Sequence, residues 1–131
     1  MIISVRGEYA LKAMLDISSR PDGEWVKVTD IARRHKLPQK FLEAVLLALK
    51  KGGYLESRRG CDGGYRLARS ADQISIGEII SFAEYTRPPR RDNHPVLVEL
   101  LKSVDDAVRG VVDRVSLAEV VRQSHPATWQ I

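Results

Sequence analysis

The stretch Pro38–Leu67, PQKFLEAVLLALKKGGYLESRRGCDGGYRL, decides the fold. Phe41, Leu42, Val45, Leu46 and Leu49 recur at the three- and four-residue steps of an amphipathic helix. Pro38 takes its first position, where a missing N–H costs nothing. Lys50 and Lys51 suit the negative end of the helix dipole, and Gly52 and Gly53 end the helix by allowing a left-handed backbone. Tyr54–Ser57 and Tyr65–Leu67 then read as paired strands joined by RRGCDGG, whose three glycines permit tight curvature. A helix, a break and a basic hairpin in that order read as a recognition helix followed by a wing. A plain hairpin with solvated arginines is the simpler alternative.

Upstream, Thr29 stands where an N-cap belongs, before a short helix over Asp30–His35 that turns Ile31, Ala32 and Leu37 inward. Lys36 and Leu37 make the turn into the helix after Pro38, so the pair reads as a helix-turn-helix. Ser4 caps an earlier helix, Val5–Ser19, with Tyr9, Ala10, Ala13, Met14 and Ile17 on one side. Arg20–Gly23 is a turn, and Trp25–Val28 alternates like a short strand.

Downstream, Ser75 and Glu78 form a capping box that opens a helix running to about Tyr85. Thr86–Pro95, TRPPRRDNHP, is a proline-bearing linker. Leu97, Leu101, Val104, Val108, Val111 and Val115 then alternate steps of four and three, the seam of a coiled coil, on a rod of about 30 Å. Val96, Leu100, Ala107 and Val112 widen that stripe beyond what one neighbouring helix covers. The expectation is a twofold interface with a second copy, and the alternative is a core helix within one chain. Ser116 and Glu119 form a second capping box, which restarts a short helix ended by His125 and Pro126, ahead of a tail with Trp129. The expected fold is mainly α with a small β-wing. Residues 1–85 make a winged helix-turn-helix domain, 86–95 a linker loop, 96–115 a dimerisation helix, and 116–131 a C-terminal helix and tail.

Charge follows the same division. From Lys27 to Arg69 there are eleven Lys or Arg against four Asp or Glu, a local charge of +7, while the rest of the 131 residues carries ten against thirteen. Such segregation suggests a face for a polyanion, with a merely solvated basic surface as the alternative. The longest apolar run, Ala44–Leu49, is far too short to span a bilayer, and charges interrupt the N-terminal apolar residues, so a cytoplasmic location is expected. One cysteine, Cys61, excludes an internal disulfide. No nucleophile–base pair, paired acids or phosphate-cradling loop points to an enzyme. His35, His94 and His125 have no metal-ligand spacing.

Gly7, Glu8, Tyr9, Ala10 and Leu11 with Ala13 and Leu15, the stretch Phe41, Leu42, Glu43, the wing residues Arg59, Gly60, Gly63 to Leu67, and Ser75–Ile79 together resemble the Rrf-two family of winged-helix transcription regulators over nearly the whole chain. The resemblance implies a sequence-specific, DNA-binding homodimer on a palindromic operator, acting as a repressor and answering to an effector protein or small molecule. It implies that Gln39, Lys40 and Glu43 read bases in the major groove, where glutamine pairs with adenine and glutamate accepts from cytosine. Arg59 would enter the minor groove, and Arg34, Lys50, Lys51 and Arg58 would contact phosphates. Cluster-binding relatives carry three cysteines between Tyr85 and Val96, where this chain has none, so no iron–sulfur cofactor is expected. Glu8, which matches a carboxylate ligand of one such relative, reads as a first-turn carboxylate stabilising its helix. Cys61, beside Arg58 and Arg59, is the one redox-capable group, or simply a tolerated small residue. A winged-helix module that binds a metabolic enzyme or another regulator near Thr86–Pro95 is the alternative function.

Overall fold

The computed structural model describes residues 3–84 and 94–123. The helices are α1 (Val5–Ser18), α2 (Val28–His35), α3 (Gln39–Lys51), α4 (Ile76–Glu84), α5 (Pro95–Val112) and α6 (Leu117–Gln123). The strands β1 (Leu55–Arg58) and β2 (Gly64–Leu67) form one antiparallel pair, and a 3-10 turn, Ala71–Gln73, leads from it to α4. Most of the linker, with His125, Trp129 and the tail, lies outside the described residues.

The core gathers around α1. Its Ala10, Ala13, Met14 and Ile17 meet Ile31 of α2, Leu42, Val45, Leu46 and Leu49 of α3, Ile79 of α4 and Leu117 of α6. Each fully buried Leu or Ile contributes on the order of 1.5–3 kcal/mol of transfer free energy, which sets the roll of α3 about its axis. Helix α6 therefore belongs to the core of the winged domain, although the long α5 separates the two in sequence.

Local chemistry explains the helix starts. The Gly7 N–H donates to Ser4 Oγ at 3.2 Å. Both capping boxes close: Glu78 N–H donates to Ser75 Oγ and Ser75 N–H to Glu78 Oε2, and Ser116 and Glu119 repeat the exchange. The two boxes also sit back to back, since Ile76 N–H donates to Val115 O and Leu117 N–H to Ile74 O, each at 2.8 Å.

Several boundaries depart from expectation. The strand over Trp25–Val28 shrinks to one bridge, Val26 with Tyr65, because Val28 is already in α2. Thr29 consequently lies inside α2, and Lys27 takes the cap position with no side-chain hydrogen bond. Pro38 caps α3 rather than opening it. Helix α5 stops at Val112, so Val115 falls in the turn that tethers α4. No residue of α5 is buried.

Candidate nucleic-acid interface

Burial of Leu42, Val45, Leu46 and Leu49 turns the opposite side of α3 outward, and Gln39, Lys40 and Glu43 all stand exposed at its N-terminal end. Gln39 Nε2 donates to Glu43 Oε1 at 3.2 Å, so the amide and carboxylate one turn apart hold each other toward solvent. Lys36 adopts φ 54° in the turn between α2 and α3, a left-handed conformation uncommon outside glycine. Lys50 and Lys51 are exposed at the far end of α3.

The wing is shaped by close approach. A Cβ on Gly63 would lie 2.0 Å from the Arg58 carbonyl oxygen, and one on Gly64 would lie 2.4 Å from that of Val26. Neither position tolerates a side chain without moving backbone. Arg59 and Cys61 are exposed at the tip. Trp25 supports the wing from beside it: the Arg66 guanidinium lies 4.1 Å from its ring centroid and that of Arg58 5.7 Å. Arg66 also pairs with Glu56 across the strands.

Between the wing, the start of α2 and the end of α3 runs an open groove of about 480 Å³, which Lys27, Thr29, Lys50, Arg58 and Arg59 line without a carboxylate. Four cations and the uncapped N-terminus of α2 suit a phosphate backbone. Lys27 is a residue that sequence reasoning missed, because Thr29 was expected to cap the helix and Lys27 to lie in a strand.

Arg34 has a different surrounding from that expected. Its Nε and Nη2 donate to Asp16 Oδ2 and Oδ1 at 2.8 and 2.7 Å. His35 Nε2 lies 2.8 Å from Asp16 Oδ2, and because a carboxylate only accepts, that nitrogen carries the proton. Arg20 Nε approaches to 3.8 Å without a hydrogen bond. Asp16 is 5% exposed. Burial pushes its carboxyl up, but the hydrogen bonds from Arg34 and His35 and the charges of Arg34 and Arg20 outweigh that and hold it below its ordinary 3.8. The cluster pins the C-terminal turn of α2 to α1, and Arg34 Nη1 is the nitrogen that takes no part in the pair.

The six seam positions separate into two kinds. Leu97, Val104 and Val111 are 37%, 40% and 65% exposed, whereas Leu101, Val108 and Val115 are half-buried. Val96, Val98 and Leu100 add exposed apolar surface at the N-terminal end of α5.

Residues 3–123 match the model of the Rrf2 family, described as iron-dependent transcriptional regulators. The chain belongs to that family. It is 34% identical over 89 residues to protein rrf2 of Nitratidesulfovibrio vulgaris, a match spanning 68% of this chain and 59% of that one. It is 29% identical over 130 residues to the HTH-type transcriptional regulator IscR of Cronobacter sakazakii, covering 92% of this chain and 80% of that one. Among solved structures, T. potens IscR superposes with a TM-score of 0.82 at 28% identity, covering all of this chain and 92% of that one. This Rrf2 chain is a transcriptional regulator with a DNA-binding fold, not an enzyme, and no helix among its described residues is long and apolar enough to cross a membrane.

The family's iron dependence can be tested against the donors present. The single thiol, Cys61, is in the wing, Glu8 pairs with Lys12 at 3.4 Å, and His35 is engaged with Asp16. Among the described residues no three His, Cys, Asp or Glu side chains gather as a metal site. One isolated thiol does not fit an iron–sulfur cluster, which is held by several thiolates.

Proposed function

We propose that this Rrf2 regulator works in the cytoplasm as a homodimer that binds a palindromic operator and represses by occupying it. The observation that carries the reading is α5: an 18-residue helix, about 27 Å long, with an apolar stripe and no buried residue. A contiguous exposed apolar stripe of this kind marks an interface, and self-complementary packing about a twofold axis covers it with one gene product. Two heads fixed in this way face successive major grooves of one duplex.

In each head, Gln39, Lys40 and Glu43 take the base edges, and burial of the opposite side of α3 keeps them in register. Arg59 at the wing tip takes the minor groove. Lys50, Lys51, Arg58 and Lys27 hold phosphates, with Arg34 contributing only through Nη1. Repression needs nothing beyond occupancy of promoter DNA. The test is the affinity for an operator from the chain's own promoter against a scrambled duplex, across a salt series. The operator is expected to bind more tightly, and Lys50→Ala to reduce the slope of log K against log salt by about 0.9 per lost phosphate contact. Equal affinity for both duplexes would remove sequence-specific regulation.

A further inference from the structure

A second, still more open surface hollow, of about 590 Å³, lies where the wing base meets α4 and the C-terminal end of α5. Its apolar wall is Tyr54 and Phe82, packed edge to face at 5.4 Å. Phe82 lies across Gly52 at the end of α3, where a Cβ would come within 2.7 Å of its ring. The wall is therefore attached to the end of the recognition helix, the root of the wing and α4 together. Burial and the nearby Glu78 raise the Tyr54 phenol above its ordinary value, so it is neutral.

The polar groups of the cavity divide into used and unused. Glu78 accepts from Ser75 N–H at 2.9 Å and lies 3.6 Å from Arg69, itself stacked over Tyr54 at 5.5 Å. Arg109 of α5 and Asp113, the residue that caps α5, line the hollow four positions apart; Asp113 Oδ1 lies against Gly77, where a Cβ would come within 1.8 Å of it, and among the described residues neither side chain has an ion-pair or hydrogen-bond partner. Side chains four apart on a helix stand about 5–6 Å from each other at Cβ, and the Arg-before-Asp order is the weaker one for pairing. A cation and an anion thus stand unpaired, side by side, next to an aromatic wall. A ligand complementary to that arrangement carries both charges at one end and an apolar body at the other.

We infer that this cavity binds a free α-amino acid with an aromatic or long apolar side chain. Arg109 receives its carboxylate, through the fork of donors that suits that group, Asp113 receives its ammonium, and the side chain packs on Tyr54 and Phe82. One bound molecule would join the end of the recognition helix and the wing root to α5, and so couple amino-acid binding to the relative placement of two heads. The coupling is reciprocal: DNA that favours one placement changes the affinity for the amino acid by the same factor. The regulatory role rests on the homodimer reading; binding itself does not.

The experiment is calorimetric titration of the free full chain with L-phenylalanine, L-tryptophan, L-methionine and L-leucine, alongside phenethylamine and 3-phenylpropionate, which each carry one of the two charges. At least one amino acid is expected to bind saturably, with L-phenylalanine at least about tenfold tighter than either analogue. Arg109→Ala, at an exposed helix position that leaves the fold intact, should weaken binding by about tenfold or more, while Lys102→Ala, away from the cavity, should not. No binding by any of the four, equal binding of the analogues, or binding untouched by Arg109→Ala would overturn the site. A second arm measures operator affinity with and without the bound amino acid: a shift supports the regulatory role, and an unchanged value overturns it. Operator binding by the unliganded protein is read in the same arm, so failure of the DNA-binding reading is distinguishable.

Discussion

Helices α3 and α5 are written with the same residue types at the same spacing, and the structure leaves them in opposite situations. In α3, Leu42, Val45, Leu46 and Leu49 are no more than 2% exposed, because α1, α2 and β1 close over them. In α5, Leu97, Leu100, Val104 and Val111 are 37–65% exposed, and among the described elements the main packing partner of α5 is α4. Periodicity therefore says which face is apolar but not what covers it. For α3 the cover is the same chain. For α5 the account assigns it to a second copy.

Breaking the uncovered side should have the largest effect on DNA binding. Val104→Glu with Val111→Glu is expected to give a monomer by sedimentation and to lower operator affinity by about 100-fold or more, the avidity of two linked heads. The melting of the winged domain should change little. On the covered side, Leu46→Ala opens a cavity in a close-packed site and should cost about 2–5 kcal/mol in urea unfolding, with loss of DNA binding only through loss of fold.

Asp16→Asn probes what holds α2 on the head. The change removes the buried negative charge and turns one of the two acceptor oxygens shared by Arg34 and His35 into an NH2 donor, but both partners are 31% exposed, so the cost is about 2–3 kcal/mol at pH 7 rather than the full buried-pair value. The Asp16 carboxyl sits below its ordinary 3.8 in the folded protein, so an unfolded chain binds the proton first. Its contribution is complete above 3.8 and disappears as pH falls from there through the lowered value. Urea unfolding across that window should show the wild-type advantage over Asp16→Asn shrinking toward acid. The smallest effect is expected from Glu43→Ala, which should relax preference at one base position by about 1–3 kcal/mol, with overall affinity less affected, in a binding series over single-base operator variants.

How much of this was legible in the sequence follows from how local each cause is. The capping pairs Ser75 with Glu78 and Ser116 with Glu119 span three residues, and both boxes close as their spacing implies. The glycines of the wing were readable as a tight hairpin, and Gly63 and Gly64 are the positions where a side chain would strike backbone. The Trp25–Val28 strand was misjudged because alternation over four residues is weak evidence, and the start of α2 at Val28 took its last residue. The Asp16 cluster left no local signal, since its partners Arg34 and His35 are 18 and 19 residues away. A carboxylate at the edge of the buried stripe of α1 was the one available hint. Lys27 entered the groove only once the helix boundary moved. The hollow beside Tyr54 and Phe82 joins residues from three parts of the chain, which no sequence window holds together.

The central claim is that recognition is performed by two heads at a spacing set by α5. Selecting bound sequences from a random DNA pool with the purified chain tests it most directly. The account predicts an inverted repeat whose half-sites are centred one helical turn, or a whole number of turns, apart. It also predicts that affinity collapses when half a turn of DNA is inserted between them. A single unrepeated motif, or affinity indifferent to that insertion, would contradict it.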